Sequence, residues 1–400
     1  MNRLATATAL VAAWLASGAM AETYGPGVTD TEIKIGNTNP YSGPASAYGT
    51  IGRGLQAYFD MVNAAGGING RQIDFVSLDD GYSPPKTVEQ TRKLVEQEEV
   101  LLIFQALGTP TNTAVHQYLN AKEVPQLFVA TGATKWGQPE KFPWTMGWQP
   151  NYQGEAKIYA QYLLDNRPDA KIGVLYQNDD YGKDYLEGFK AGLGDQAETM
   201  IVAEESYEVT DPTVDSQIIT LQNSGADVFF NITIPKFAAQ AIRKAHDIGW
   251  KPLHLLNSVS NSVGSVLEPA GLEKSVGIVT AHYFKDPTDP QWQGTDEYAA
   301  WEAWIDKHYP DADKTNGFNV YSYNVAMTLV HVLERCGDDL TRENVMRQAA
   351  SIQNLELPML LPGVVINTSA TDFYPIEGMM LAEFDGTTWQ LQGEVIDPSQ

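Results

Sequence analysis

The chain has 400 residues, a formal net charge of −24 with neutral histidines, 43% hydrophobic and 19% charged residues. A surface this acidic repels nucleic acid and anionic lipid, which excludes a binder held to either by electrostatics. The single cysteine, Cys336, excludes an internal disulfide, so stability has to come from hydrophobic cores, and the length allows two domains.

At the N-terminus, Met1-Asn2-Arg3 carries one positive charge, "LATATALVAAWLA" is a short apolar run, and Ala19-Met20-Ala21 places small residues where a signal peptidase cuts. The pattern predicts a secretory signal peptide over residues 1–21, its apolar run shorter than the ~20 apolar residues of a membrane span. The mature chain is expected to be soluble, with no cysteine near the cleavage point to carry a lipid.

From there the chain alternates. "IKIGNT", "IDFVSL", "LLIF" and "PQLFV" read as short strands, separated by the amphipathic stretches "GTIGRGLQAYFDMVNAAGG", "PPKTVEQTRKLVEQEE" and "TNTAVHQYLNAKE". The pattern pauses at "KFPWTMGWQPNYQGE" and resumes from "KIGVLY" to "LHLLNS". Two α/β units with mostly parallel sheets are predicted, with a junction near residues 145–152. The last third reads as three helices, in "DPQWQGTDEYAAWEAWIDKHY", "NGFNVYSYNVAMTLVHVLERCG" and "RENVMRQAASI", and a closing hairpin around Asp385-Gly386. These helices have too few strands for a third sheet and are expected to complete the first two units. Cys336, at the end of the second of them, is expected to pack rather than react.

No catalytic constellation emerges. Phosphate-loop and nucleophile-elbow motifs are absent, and the six histidines have no metal-binding spacing. Gly52-Arg53-Gly54-Leu55-Gln56-Ala57 matches G-x-G-x-x-A, but it falls inside a predicted helix rather than in the turn after a strand, where a dinucleotide needs it. "LDDG" and "NDDYG" stand at strand ends and read as turn residues. No cofactor and no metal is expected.

Strand ends are where open α/β sheets place ligands. After the first strand comes "NPYSGPASAYGTIG", whose glycines admit close backbone approach and whose Tyr48 offers an aromatic face. "QALGTPTNTAV" and "ATGATKWGQP" follow later strands; Thr109 and Thr111 are placed to cap a helix from about Asn112, and Thr134 another after Gly132. Such caps are ordinary structure. Several N–H groups and hydroxyls converging at one edge also make a carboxylate site, because a helix N-terminus carries partial positive charge.

"GNTNPYSGPASAYG", "VNAAGGINGRQIDFVSLDDGYSPPKTVEQTRKLVEQEEV", "GTPTNTAV", "VPQLFVATGAT", "VLYQNDDYGKDYLEGFKAGL" and "ADVFFNITIPKFAAQAIRKAHDIG" resemble, in order, the periplasmic solute-binding proteins of ABC importers, of the leucine/isoleucine/valine-binding type. The resemblance implies a type I periplasmic binding protein: two Rossmann-like α/β lobes joined by three hinge crossovers. It places lobe 1 at residues 22–148 plus about 281–355 and lobe 2 at 149–280 plus about 356–400. It implies a monomer in the periplasm that binds a small carboxylate-bearing ligand, partners the permease and ATPase subunits of an importer, binds no nucleic acid and is not an enzyme. By position, Tyr48 and Tyr181 become the aromatic walls of the two lobes; Thr109, Thr111, Gly132 and Thr134 meet the ligand's polar end, and Thr233 contacts it from the second lobe. Relatives that bind amino acids place an acid after the strand matching "LHLLNS"; here the segment reads "LNSVSNSVGS", offering Ser258 and no acid before Glu268. The ligand is therefore either an amino acid, its ammonium met by Asp372 or Glu377, or an aromatic or aliphatic carboxylic acid. The alternatives in function are a soluble periplasmic ligand sensor and an exported hydrolase.

Overall fold

The computed structural model describes residues 24–398; the expected signal peptide at 1–21 lies outside the described residues. The first sheet contains β1 (Glu32–Asn39), β2 (Gln72–Asp79), β3 (Leu102–Phe104) and β4 (Gln126–Leu127), all parallel in the order β2-β1-β3-β4. Helices α1 (Gly49–Ala64), α2 (Pro84–Glu96) and α3 (Thr109–Ala121) connect them. Residues Ile35 to Asn39 of β1 are all buried, as expected of a central parallel strand covered on both faces. Pro84 and Pro85 open α2, where a missing N–H costs nothing.

The chain then builds a second sheet through α4 (Tyr152–Asn166), β5 (Ile172–Gln177), α5 (Asp180–Leu193), α6 (Ala197–Met200), β6 (Ile201–Tyr207), α7 (Asp215–Asn223), β7 (Val228–Ile232), α8 (Pro235–Asp247), β8 (Leu253–Leu256), α9 (Glu268–Ala270) and β9 (Val279–His282). It returns to the first sheet's side as α10 (Asp296–His308), α11 (Gly317–Cys336) and α12 (Arg342–Ala349). Both α10 and α11 pack on α1. The chain finally re-enters the second sheet as the antiparallel hairpin β10 (Met379–Phe384) and β11 (Trp389–Ile396), giving the order β11-β10-β9-β8-β7-β5-β6. At its turn, the Asp385 carboxylate accepts the N–H groups of Thr387 and Thr388, and Gly386 takes φ +105°. The molecule is thus two α/β lobes, and the chain crosses between them three times: after β4, after β9 and after α12.

Helix starts follow capping chemistry. Asn151, Thr295, Asn316 and Thr341 each accept a first-turn N–H at the heads of α4, α10, α11 and α12. Gly52 and Gly54 lie inside α1 and serve helix packing: an added Cβ would come within 2.1 Å of the Tyr41 hydroxyl at Gly52 and of Ser322 Oγ at Gly54. Cys336 is buried at the end of α11, and burial lifts its thiol to about 12, so it stays protonated. Trp148 packs where the chain leaves the first lobe, its Nε1 donating to Thr328 Oγ1 at 3.0 Å and its ring meeting Tyr321 edge-on. Among the described residues no helix is long and apolar enough to cross a membrane, and no group of three or more His, Cys, Asp or Glu side chains could hold a metal.

Candidate functional site

The C-terminal ends of both sheets face one cleft. After β1, a 3-10 turn over Ser46–Tyr48 delivers Tyr48 to the head of α1, and its hydroxyl donates to the Val259 carbonyl of the second lobe at 3.0 Å. After β2, Asp79 accepts the N–H groups of Tyr41, Ser42 and Gly81, while Asp80 accepts Tyr82 N–H at 2.9 Å and the Thr87 hydroxyl at 2.7 Å. The "LDDG" carboxylates are turn residues, as read from the sequence, but their turn holds Tyr82 at φ +60° with its ring against Gly108. Gly108, at φ +99°, has no room for a side chain: a Cβ would lie 2.4 Å from the Tyr82 ring.

Helix α3 starts at Thr109, not near Asn112, and neither threonine caps it. Gly108 occupies the cap position and Pro110 sits within the first turn, so the helix opens without a side-chain cap. The Thr109 hydroxyl pairs instead with Thr131 Oγ1 at 2.6 Å, and Thr111 donates back to the Gly108 carbonyl at 2.9 Å. Thr134 is likewise not a side-chain cap. It opens a 3-10 turn, and its N–H and hydroxyl both donate to Asp184 Oδ2 of α5, at 2.8 and 2.9 Å. Gly132 holds the junction: its carbonyl accepts Tyr152 N–H at 2.8 Å, and a Cβ there would meet the Tyr152 ring at 2.7 Å. From the second lobe, Asp179 caps α5 through the N–H of Tyr181, placing that ring against Tyr152. Thr233 donates to Asn231 Oδ1 at 2.7 Å, within the lobe.

Between the lobes lies a cavity of about 570 Å³, open solvent space included. Of the residues proposed from sequence, Tyr48, Thr109, Tyr181 and Ser258 line it; Thr111, Gly132, Thr134 and Thr233 do not. Sequence reasoning missed Tyr82, Gln149, Tyr152, Tyr283, Phe284, Phe318 and Tyr321, all in the wall. Tyr82 follows a strand end and could have been found by reading one residue further. Gln149 and Tyr152 sit in the Pro/Trp/Gly-rich stretch that read as a junction. The others come from the segment just after β9 and from α11, which only the fold brings to the cleft.

The wall holds no Asp, Glu, Lys, Arg or His side chain. Burial raises the hydroxyl pKa of Tyr48, Tyr82, Tyr152, Tyr181, Tyr283 and Tyr321, so all six stay neutral. The phenols of Tyr48, Tyr181 and Tyr321 are tied to the protein. Tyr48 donates to Val259, and Tyr321 donates to Gln149 Oε1 at 3.2 Å. Asn257 accepts from Tyr181 in the amide orientation that also donates to the Asn231 and Thr233 carbonyls. Behind Ser258 stands Glu155, fully buried in α4. Its carboxylate accepts from Tyr159 at 2.9 Å, Tyr185 at 2.8 Å, Ser258 N at 2.7 Å and Ser258 Oγ at 2.6 Å. Burial holds its pKa above the ordinary glutamate value, against the pull of those hydrogen bonds. Asp372 and Glu377 are not in the wall.

Residues 32–388 match a family model described as periplasmic binding protein. A Leu/Ile/Val-binding protein homolog 1 from Brucella suis is 28% identical over 320 residues, covering 78% of this chain and 81% of that protein. A branched-chain amino acid ABC transporter protein from Thermus thermophilus, solved with bound valine, superposes with a TM-score of 0.82 at 15% identity over 92% of this chain and 97% of its own. A fatty acid ABC transporter substrate-binding protein from Thermomonospora curvata gives 0.78 at 24% identity, covering 94% of this chain and 95% of its own. At these identities the two structures speak for the fold alone, but with the family match they leave one assignment: the chain belongs to the periplasmic binding protein family.

Proposed function

We propose that this protein is the extracytoplasmic solute-binding subunit of an ABC importer, which captures a small carboxylate-bearing ligand by closing its two lobes and presents the closed form to the permease. The observation that carries this reading is the cavity itself: it lies between the C-terminal ends of two sheets, its walls come from both lobes, and it holds no pair of groups that could make or break a bond. The lobe division implied by the resemblance, 22–148 with about 281–355 and 149–280 with about 356–400, serves as the working division, with β9 kept whole in the second lobe.

The carboxylate is assigned to the head of α3. Free N–H groups of the first turn and the helix dipole favour an anion there. Thr109 adds a donor. Trp136 Nε1 at 3.2 Å and Ala133 N–H at 3.3 Å both point at Thr131 Oγ1. Where Thr131 donates in its bond to Thr109, the Thr109 hydroxyl hydrogen is left to turn to the ligand. Gln149 Nε2 lines the cavity region as a further neutral donor. The rings of Tyr48, Tyr82, Tyr152, Tyr181 and Phe318 take the ligand's apolar part, each well-buried group contributing ~1.5–3 kcal/mol.

Of the residues carried over by resemblance, Thr111, Gly132, Thr134 and Thr233 are assigned supporting roles. They shape the loops and the lobe contact rather than touch the ligand. Ser258 forms wall, but both of its donors are held by Glu155.

The test is a thermal-shift screen of organic acids and amino acids, followed by small-angle scattering. A specific ligand should raise the melting temperature in proportion to the logarithm of its concentration and reduce the radius of gyration. A screen without a hit, or a ligand that is chemically turned over, would end this reading.

A further inference from the structure

Resting on the reading of the cleft as a carboxylate site, we propose that the ligand is an aromatic or aliphatic acid that carries no α-ammonium group, rather than an amino acid. An ammonium drawn into a closed cleft needs an anion or several carbonyl-type acceptors, because its desolvation is costly unless it is paired. The wall contains no carboxylate. Glu155, the carboxylate behind Ser258, has both oxygens engaged by four protein donors and could serve an ammonium only by releasing them. Two further acceptors of wall residues are also taken: Val259 O by Tyr48 and Gln149 Oε1 by Tyr321. The wall also leaves donors unmatched. Gln149 Nε2 has no hydrogen-bond partner among the described residues, and the first turn of α3 has N–H groups without acceptors. The acceptors left in the wall are uncharged phenol and carbonyl oxygens, and a site with spare N–H donors and no carboxylate favours an anion over a zwitterion.

The approach to the cleft points the same way. A second groove, whose Ala47 and Pro235 are chain neighbours of Tyr48 and Ile234 in the cavity wall, runs from Ser46 and Ala47 of the first lobe to Pro235, Lys236 and Arg243 of the second. In a chain of net charge −24, these two cations donate only to backbone carbonyls, Lys236 to Asp211 at 3.3 Å and Arg243 to Pro269 at 2.6 Å. No carboxylate among the described residues pairs with either, and none lines the groove. A monoanion is drawn by such a cationic groove; a zwitterion, with no net charge, is not.

Matched pairs that differ only in the ammonium decide the matter: 3-phenylpropanoate against phenylalanine, and 4-methylpentanoate against leucine, each titrated by calorimetry into the full mature chain. At least one acid should bind 100-fold or more tighter than its amino partner. Amino acids binding as tightly as the acids, or tighter, would overturn this inference and leave the carboxylate reading standing. Binding of the neutral amides in preference to the acids would overturn both.

Discussion

At the residue scale, Tyr181 and Asp286 give the sharpest consequences. The Tyr181 ring lies in the wall and its hydroxyl is spent on Asn257, so its contribution to binding is the ring. Tyr181→Phe should keep affinity within a few-fold. Tyr181→Ala should weaken it about 10- to 100-fold, the equivalent of ~1.5–3 kcal/mol of lost burial. Calorimetry on both variants separates ring from hydroxyl; equal losses would refute the assignment. Asp286 is fully buried, with Thr288 bonded to one oxygen and the other oxygen unpaired, and burial lifts its carboxyl to about 6. Unfolded, it titrates near ~3.9. The folded state therefore binds more protons between these values, so the contribution of Asp286 to stability is greatest below about pH 4, declines as pH rises to about 6 and is level above. Asp286→Asn removes that decline. Urea denaturation should show the variant gaining about 2 kcal/mol on wild type between pH 4.5 and 7.5; a gap that does not change with pH would mean the carboxyl titrates normally. Neither residue's role was legible in the sequence: Tyr181 was placed only through resemblance, and the burial of Asp286 depends on elements far from it in the chain.

At the scale of elements, the head of α3 is the critical join. Gly108 sits at a positive φ with the Tyr82 ring directly over it, so the loop after β3 and the turn after β2 fix one another. Gly108→Ala must displace that ring and strain the backbone. It is expected to cost about 1–3 kcal/mol of stability and to weaken ligand binding at least tenfold, as read by denaturant unfolding and calorimetry. Unchanged binding would move the carboxylate away from this helix end. The sequence located the helix and the loop correctly and misplaced the start. Two threonines after a glycine look like caps, but Gly108 takes the cap position and the hydroxyls find partners on neighbouring segments. The alternating strands, the parallel pairing and the closing hairpin were all readable, because each follows from local apolar periodicity and turn chemistry.

For the whole molecule, closure rests on a set of polar contacts between lobes, among them Gly317 N–H to Ser262 Oγ at 3.1 Å, Gly264 N–H to the Thr315 carbonyl at 3.1 Å and the Tyr374 hydroxyl to the Thr134 carbonyl at 2.6 Å. Thr134 reaches Asp184, Lys135 reaches Asp180 at 2.6 Å, and Tyr48 reaches Val259. The Lys135–Asp180 pair is exposed, Asp180 by 59%, and such pairs contribute ~0–1 kcal/mol. Asp180→Ala should therefore change affinity less than about fivefold. Asp184 accepts three hydrogen bonds, two from Thr134 and one from Gln153, and is largely enclosed. Asp184→Ala should shift the lobes toward the open form and weaken binding about 5- to 30-fold, since apparent affinity scales with the population of the closed state. Scattering of the variant at sub-saturating ligand should report a larger radius than wild type. If the two variants behave alike, the contacts at Thr134 do not govern closure.

The sequence by itself determined the two α/β units, the helical last third, the family and the absence of a catalytic motif, because strands, helices and turns are specified by neighbours within a few residues. It also named four residues that line the cavity, those nearest to strand and helix ends. Only the tertiary structure decided the character of the site. Tyr283, Phe284, Phe318 and Tyr321 reach the cleft because the chain crosses between lobes three times, and Glu155 was found with both oxygens already engaged by four protein donors rather than waiting for a ligand. Which hydrogen-bonding groups remain unspent, and so which charge the cleft can accept, depends on pairings between residues tens to hundreds of positions apart, and no local pattern encodes those.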